Sequence, residues 1–136
     1  MTQLRVVVGL LGLDQHEIGA RIVAALLRDA GVEVIYAGKF NTPEGLVSVS
    51  LQEGADVIGI SAHSWEYLDH IPILLALLRQ AELAIPVVVG GSVITPTDRQ
   101  TLLGWGVAAV FGPDTDSSTI VPRIRALHAQ AVSTTE

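Results

Sequence analysis

Leu4-Arg5-Val6-Val7-Val8-Gly9-Leu10-Leu11 runs directly into Gly12-Leu13-Asp14-Gln15-His16-Glu17-Ile18-Gly19. The first half is a β-branched apolar run and reads as a strand buried on both faces. The second half is polar and bounded by glycines. Beyond it, Ile18 to Ala30 places Ile22, Val23, Leu26 and Leu27 at helical spacing, with Arg21, Arg28 and Asp29 on the other face. Gly31 then supplies the usual left-handed stop. A strand therefore passes to a helix through a turn that carries a carboxylate and an imidazole two residues apart. In an open parallel α/β sheet, ligands bind outside the carboxyl ends of the strands, and this turn lies at that edge. A carboxylate beside an imidazole accepts one ring N–H. It fixes the tautomer and leaves the other nitrogen free to bind a metal or move a proton.

Outward from that turn the same alternation repeats. Val32 to Tyr36 reads as a second short strand. Thr42 and Pro43 form a cap-then-proline helix start, with Glu44 in the first turn. That helix runs to about Glu53 and closes at Gly54. Asp56 to Ser61 is a third strand, and the loop after it, Ala62 to Glu66, gathers His63, Ser64 and Trp65. A helix with Ile73, Leu74, Leu75, Leu77 and Leu78 follows. Ile85 to Val89 is a fourth strand, ending at Gly90-Gly91. Thr95 and Pro96 start a helix that ends near Gly104, and Val107 to Phe111 is a fifth strand. Gly112-Pro113-Asp114 turns the chain, and Ser117 or Ser118 starts a last helix to about Gln130. The tail, 131–136, is expected to fray.

Five strands alternating with five helices call for a parallel sheet with right-handed crossovers and helices on both faces. The expected fold is α/β, a flavodoxin-like (Rossmann-type) five-stranded sheet of order 2-1-3-4-5. Its switch point falls between strands 1 and 3. A site there is built from the 14–19 turn, Ser61 at the end of strand 3 and Gly90-Gly91 at the end of strand 4. No linker or repeat divides the chain, so residues 1–136 are expected to form one domain.

Composition narrows the function classes. The chain has 136 residues, 49% hydrophobic and 16% charged, which is apolar enough to bury both faces of a sheet. Eight basic and fourteen acidic side chains give a net charge of −6, with Lys39 the sole lysine. A nucleic-acid footprint needs clustered basic residues and is not present. The absence of cysteine excludes disulfides, thiolate metal sites and a cysteine nucleophile. The N-terminal apolar run is too short to span a bilayer, and no small-residue cleavage site follows it. A cytoplasmic protein is expected, with no membrane and no nucleic-acid partner.

The three places at the sheet edge resemble the signature of the cobalamin-binding domain of adenosylcobalamin-dependent mutases and of methionine synthase. That signature is Asp-x-His-x-x-Gly, then Ser-x-Leu, then Gly-Gly. Here Asp14-x-His16-x-x-Gly19 is followed after 41 residues by Ser61-Ala62-His63 and after 26 more by Gly90-Gly91. The stretches 27–36 and 106–113 resemble the acyl-CoA mutase branch, and the resemblance covers nearly the whole chain. It implies that His16 is the lower axial ligand of the cobalt in a base-off, His-on corrinoid, for which neutral imidazole is a suitable ligand. It implies that Asp14 accepts the other ring N–H. Gly19, Ser61, Gly90 and Gly91 would border the slot for the displaced nucleotide tail, with Ser61 offering its hydroxyl to the benzimidazole. Gln15 and His63 complete the cofactor-contacting set.

The chain departs from the family pattern in three ways. Ser-x-Leu has become Ser61-Ala62-His63. The lysine that acyl-CoA mutases usually carry four residues before the motif Asp is Leu10. Gln15 and Ile18 alter the familiar turn. The residues also have plainer readings. Asp14 can cap a helix, Ser61 can close its strand, and the glycine pair can be a turn. His63, Trp65, Tyr67 and His70 suit a loop surface or an interface.

The implied function is the small subunit of an adenosylcobalamin-dependent acyl-CoA mutase, an isomerase working by radical 1,2-rearrangement. Its partner would be a large TIM-barrel subunit that binds the acyl-CoA, in a hetero-oligomer. The cofactor carries the chemistry. No residue of this chain is assigned to substrate work, and it is expected to be inactive alone. The alternatives are the small subunit of glutamate mutase and a corrinoid carrier or sensor module with altered cobalamin binding. A phosphoryl-accepting receiver domain is disfavoured, because strand 3 ends in Ser61 without an Asp.

Overall fold

The computed structural model describes residues 3–135, with side chains to residue 131. The strands are β1 (Arg5–Leu11), β2 (Glu33–Asn41), β3 (Val57–Ser61), β4 (Val87–Gly90) and β5 (Ala109–Phe111). The helices between and after them are α1 (Glu17–Asp29), α2 (Pro43–Glu53), α3 (Tyr67–Gln80), α4 (Pro96–Trp105) and α5 (Ile120–Thr135). All pairings are parallel, and the spatial order is β2-β1-β3-β4-β5, as the alternation of patterns predicts.

Strand alternation sorts the apolar residues into two cores. Val7 and Leu11 of β1, with Ile58, Ile60, Val87 and Val89, pack under α2, α3 and α4 through Leu46, Ile71, Leu74 and Leu102. Val6, Val8 and Leu10, with Val57, Val88 and Ala109, pack under α1 and α5 through Ala20, Leu27, Ile120, Ile124 and Leu127. Each fully buried Leu or Ile contributes about 1.5–3 kcal/mol relative to exposure. The central strands are therefore fixed from both sides, and their carboxyl ends form a stable rim for the loops. Among the described residues no helix is long and apolar enough to cross a membrane.

Helix boundaries follow local chemistry. Thr42 caps α2 by accepting the Gly45 N–H, and Gly54 ends it in the left-handed region. Thr95 and Asp98 form a reciprocal capping box on α4. The stop glycine of α4 is Gly106 (φ 113°), not Gly104, which remains inside the helix. The last helix is capped by Asp116, whose carboxylate accepts the Ser118 N–H, rather than started by Ser117 or Ser118 alone. A 3₁₀ turn over Ser117–Thr119 precedes α5, and α5 itself continues past Gln130. Of the tail expected to fray, Glu136 and the side chains of 132–135 lie outside the described residues.

β2 is longer than expected. Two register shifts against β1 absorb Gly38 (φ 72°) and Phe40 (φ 65°) without ending the strand. Asn41 secures this irregular end, because its Nδ2 donates to the carbonyls of Leu10 (3.0 Å) and Gly38 (2.8 Å). Its own carbonyl accepts the Gly12 N–H at 2.9 Å. The edge strand thus holds the start of the β1–α1 loop.

Candidate functional site

Asp14 sits in the β1–α1 loop and is buried, at 4% exposure. Its two oxygens serve two loops. Oδ1 accepts the His16 N–H at 3.1 Å and lies 2.8 Å from His16 Nδ1. Oδ2 accepts the His63 N–H from the β3–α3 loop at 2.8 Å. Burial pushes this carboxyl up, but the His63 N–H, the His16 ring and the His16 N–H together hold it below its ordinary value. Asp14 is therefore an ionised acceptor. It does not cap α1, whose cap position is His16 and has no side-chain cap bond.

With Asp14 ionised, His16 Nδ1 is the donor and carries the ring proton. Nε2 is then left as a lone-pair donor. The His16 side chain is 67% exposed at the carboxyl edge of the sheet. Gln15 beside it is exposed as well. Leu10, four residues before Asp14, is fully buried in the α1/α5 core and offers the carboxylate nothing. The grip on Asp14 from outside its own turn is the His63 main-chain N–H.

The loop is clamped from a third side. Glu66, just before α3, accepts the Leu13 N–H through Oε2 at 3.1 Å, and His70 Nε2 stands 3.8 Å from the same oxygen. Gly12 has φ 66°, and a Cβ there would strike Glu66 and His70. Sequence reasoning missed this clamp. The i,i+4 acid–imidazole pair after strand 3 was its one local signal.

Beside His16 a cavity of about 170 Å³ opens on the α1/α5 face of the sheet. That is close to the roughly 150 Å³ of an apolar cavity that admits one aromatic ring. Its walls include Val8, Val23, Leu27, Val88, Phe111 and Ile124, and at its rim stand Gly19, Ser61, His63, Gly90 and Gly91. The structure thus brings Gly19, Ser61, His63 and the glycine pair together at one slot, and Asp14 and His16 reach it through His63, whose N–H donates to Asp14. The His16 and His63 ring centroids are 6.2 Å apart.

The glycines are not equivalent. A Cβ on Gly19 would stand 2.7 Å from His63 Nε2, and one on Gly90 3.3 Å from the Phe111 carbonyl oxygen. At Gly91 the space of the missing Cβ is filled by the Ala62 carbonyl, so that glycine is needed for the approach of two backbones. Ser61 Oγ is 3.0 Å from His63 Nε2, and Ser92 Oγ is 2.9 Å from His63 Nδ1. Ser92 was not singled out in the sequence, although it follows the glycine pair directly. Tyr67 is not at a surface. It is buried, and its hydroxyl donates to Asp98 Oδ2 at 3.2 Å. Trp65 is 64% exposed.

Comparison with known proteins places the chain in a family. The pivalyl-CoA mutase small subunit of Xanthobacter autotrophicus is 43% identical over 91% of this chain and 83% of its own length. The 2-hydroxyisobutanoyl-CoA mutase small subunit of Aquincola tertiaricarbonis is 38% identical over 94% of each. A crystal structure of a cobalamin-binding protein from Desulfitobacterium hafniense superposes with a TM-score of 0.79. It matches over 92% of this chain and 59% of that one, and at 19% identity it shows the shared fold. The B12 binding domain model matches residues 4–132. The chain belongs to the B12-binding domain family.

Proposed function

We infer that this chain is the cobalamin-binding small subunit of an adenosylcobalamin-dependent acyl-CoA mutase, an isomerase. One observation carries the reading. An exposed imidazole has its Nδ1 tied to a buried carboxylate at 2.8 Å, and its ring lies 6.2 Å from that of His63, which lines a slot bordered by Gly19, Ser61, Gly90 and Gly91.

The residues fit a base-off corrinoid. A bare imidazole nitrogen suits cobalt, and the largely apolar slot beside it has room for an aromatic base. Among the described residues no cluster of three or more His, Cys, Asp or Glu forms a metal cage. His16 is the residue that would hold the cobalt of such a cofactor.

Bound adenosylcobalamin supplies radical chemistry from its cobalt–carbon bond. This chain's residues have other tasks. His16 would hold the cobalt through Nε2. Asp14 keeps the proton on Nδ1 and raises the basicity of the ring. Gln15, on the exposed side of the turn, meets the cofactor edge. Gly19, Ser61, His63, Gly90 and Gly91 border the buried tail.

Leu13, Ile18, Phe40 and Trp65 project from the turn after β1, the first turn of α1, the end of β2 and the β3–α3 loop. All four are more than half exposed. This apolar rim supports a lid made by a large mutase subunit. That subunit would be a TIM barrel holding the acyl-CoA, with the corrin between the two in a cytoplasmic hetero-oligomer. On this reading the chain does not turn over substrate alone. Both named small-subunit relatives are acyl-CoA mutases, which favours that branch over glutamate mutase. The intact Asp14–His16 pair favours a working ligand over a degenerate sensor.

The test is the EPR spectrum of cob(II)alamin on the purified chain with nitrogen-15 histidine, alone and with a candidate large subunit. A superhyperfine splitting that changes with the label, and is lost in His16→Ala while circular dichroism is unchanged, is the expected result. A benzimidazole pattern indifferent to the label would overturn the ligand assignment.

A further inference from the structure

His63 closes the Ser61-Ala62-His63 stretch after β3, and its ring is held at both nitrogens. Nδ1 accepts the Ser92 main-chain N–H at 3.3 Å. An amide N–H can only donate, so Nδ1 bears no proton, and the neutral ring carries its proton on Nε2. Nε2–H therefore donates to Ser61 Oγ, 3.0 Å away. A hydroxyl that accepts at one lone pair still has its own proton to give. Ser61 and His63 both line the cavity, and the tight approach of Gly19 to Nε2 leaves the ring little room to turn.

We propose that His63 is a positioning residue, whose Ser92-anchored ring fixes the Ser61 hydroxyl as a donor into the slot and so selects an occupant with an unprotonated aromatic ring nitrogen. This rests on the cobalamin reading, in which the displaced base presents such a nitrogen. A leucine at this position packs the slot equally well but leaves the hydroxyl free to rotate. In this chain recognition of the tail is divided between Ser61, which touches it, and His63, which orients Ser61. Ser92 holds the ring through its main chain as well as its hydroxyl.

The test compares affinity for cobalamin with affinity for cobinamide, the same corrin without its nucleotide tail. The variants are His63→Leu, His63→Gln, Ser61→Ala and the Ser61→Ala/His63→Leu pair. His63→Leu is expected to weaken cobalamin binding about five- to tenfold, the scale of one net hydrogen bond. It should leave cobinamide binding within about twofold. His63→Gln, whose amide can still accept and donate, recovers most of the loss. In the Ser61→Ala background the leucine substitution adds almost nothing, because the two residues act through one contact. Equal losses for both corrinoids, or the same loss with and without Ser61, would reduce His63 to packing and overturn the proposal.

Nitrogen-15 NMR of the chain without corrinoid gives an independent arm. A protonated Nε2 with a bare Nδ1 on His63 is expected, and the opposite tautomer overturns the proposal. Failure of wild type to bind either corrinoid, with the expected tautomer present, would instead strike the cobalamin reading and remove the occupant assigned to the slot.

Discussion

Replacing Asp14 by Asn keeps the shape of the side chain and removes one acceptor from a place where three donors converge. The carboxylate is buried and accepts from His16 N–H, His16 Nδ1–H and His63 N–H. The amide has one oxygen for these three donors. If that oxygen faces His16, the new NH₂ confronts the His63 N–H, and the tie between the two loops is lost. If it faces His63, the NH₂ meets His16, Nδ1 must become an acceptor, and the proton moves to Nε2, the atom that would meet cobalt. Either way a buried N–H is left unpaired. A hydrogen bond to a charged group is worth about 1.5–3 kcal/mol, and an unpaired buried donor costs about 1–3 kcal/mol, so a net loss of about 2–3 kcal/mol is expected. Urea unfolding at neutral pH, followed by circular dichroism, measures it. The cob(II)alamin EPR spectrum of the same variant reports whether histidine ligation weakens. A loss below about 0.5 kcal/mol, with an unchanged histidine signature, would refute the role given to Asp14.

Three further outcomes are expected. Gly91→Ala drives a Cβ into the Ala62 carbonyl and should destabilise by about 1–3 kcal/mol. Gly104→Ala, in the body of α4 with open space around it, should stabilise by up to about 1 kcal/mol. A Gly91→Ala urea midpoint at or above that of wild type would refute the packing described at Gly91. For pH, the Ser118 N–H and hydroxyl hold the Asp116 carboxyl below its ordinary value. A carboxyl depressed in the folded state contributes stability that is complete above its unfolded pKa, about 3.9, and is lost as pH falls through the folded value. Wild type should therefore lose stability relative to Asp116→Asn as pH drops below about 4, and a difference that stays flat there would count against the cap geometry.

The fold was legible because its determinants are local. The Thr42-Pro43 and Thr95-Pro96 starts, the β-branched runs and most stop glycines act within a few residues of themselves. Where the reading slipped, two local signals competed. The sequence pattern ends α4 near Gly104, but Gly106, two residues on, is the glycine that turns left-handed. The pattern takes the second strand only to Tyr36, but Asn41 carries it further through bonds to Leu10 and Gly38. The Asp14–His16 pair was visible in the same local way. The His63 N–H to Asp14 bond was not, because it joins residues 49 apart and depends on where two loops meet. Gly91 shows the same limit. A close approach was legible in the glycine pair, but not that its counterpart is the Ala62 carbonyl.

The grip on Asp14 comes from a main-chain amide, and this separates what position 63 must do from what it is free to do. Any residue except proline carries that N–H, so the tether survives almost any substitution there while the path of the loop is kept. The side chain is thereby released to face the slot and to specialise. A lysine placed four residues before the Asp would have bound the same carboxylate through its own identity. Here the hold is written in the course of the chain, where a change of residue type leaves no trace of it.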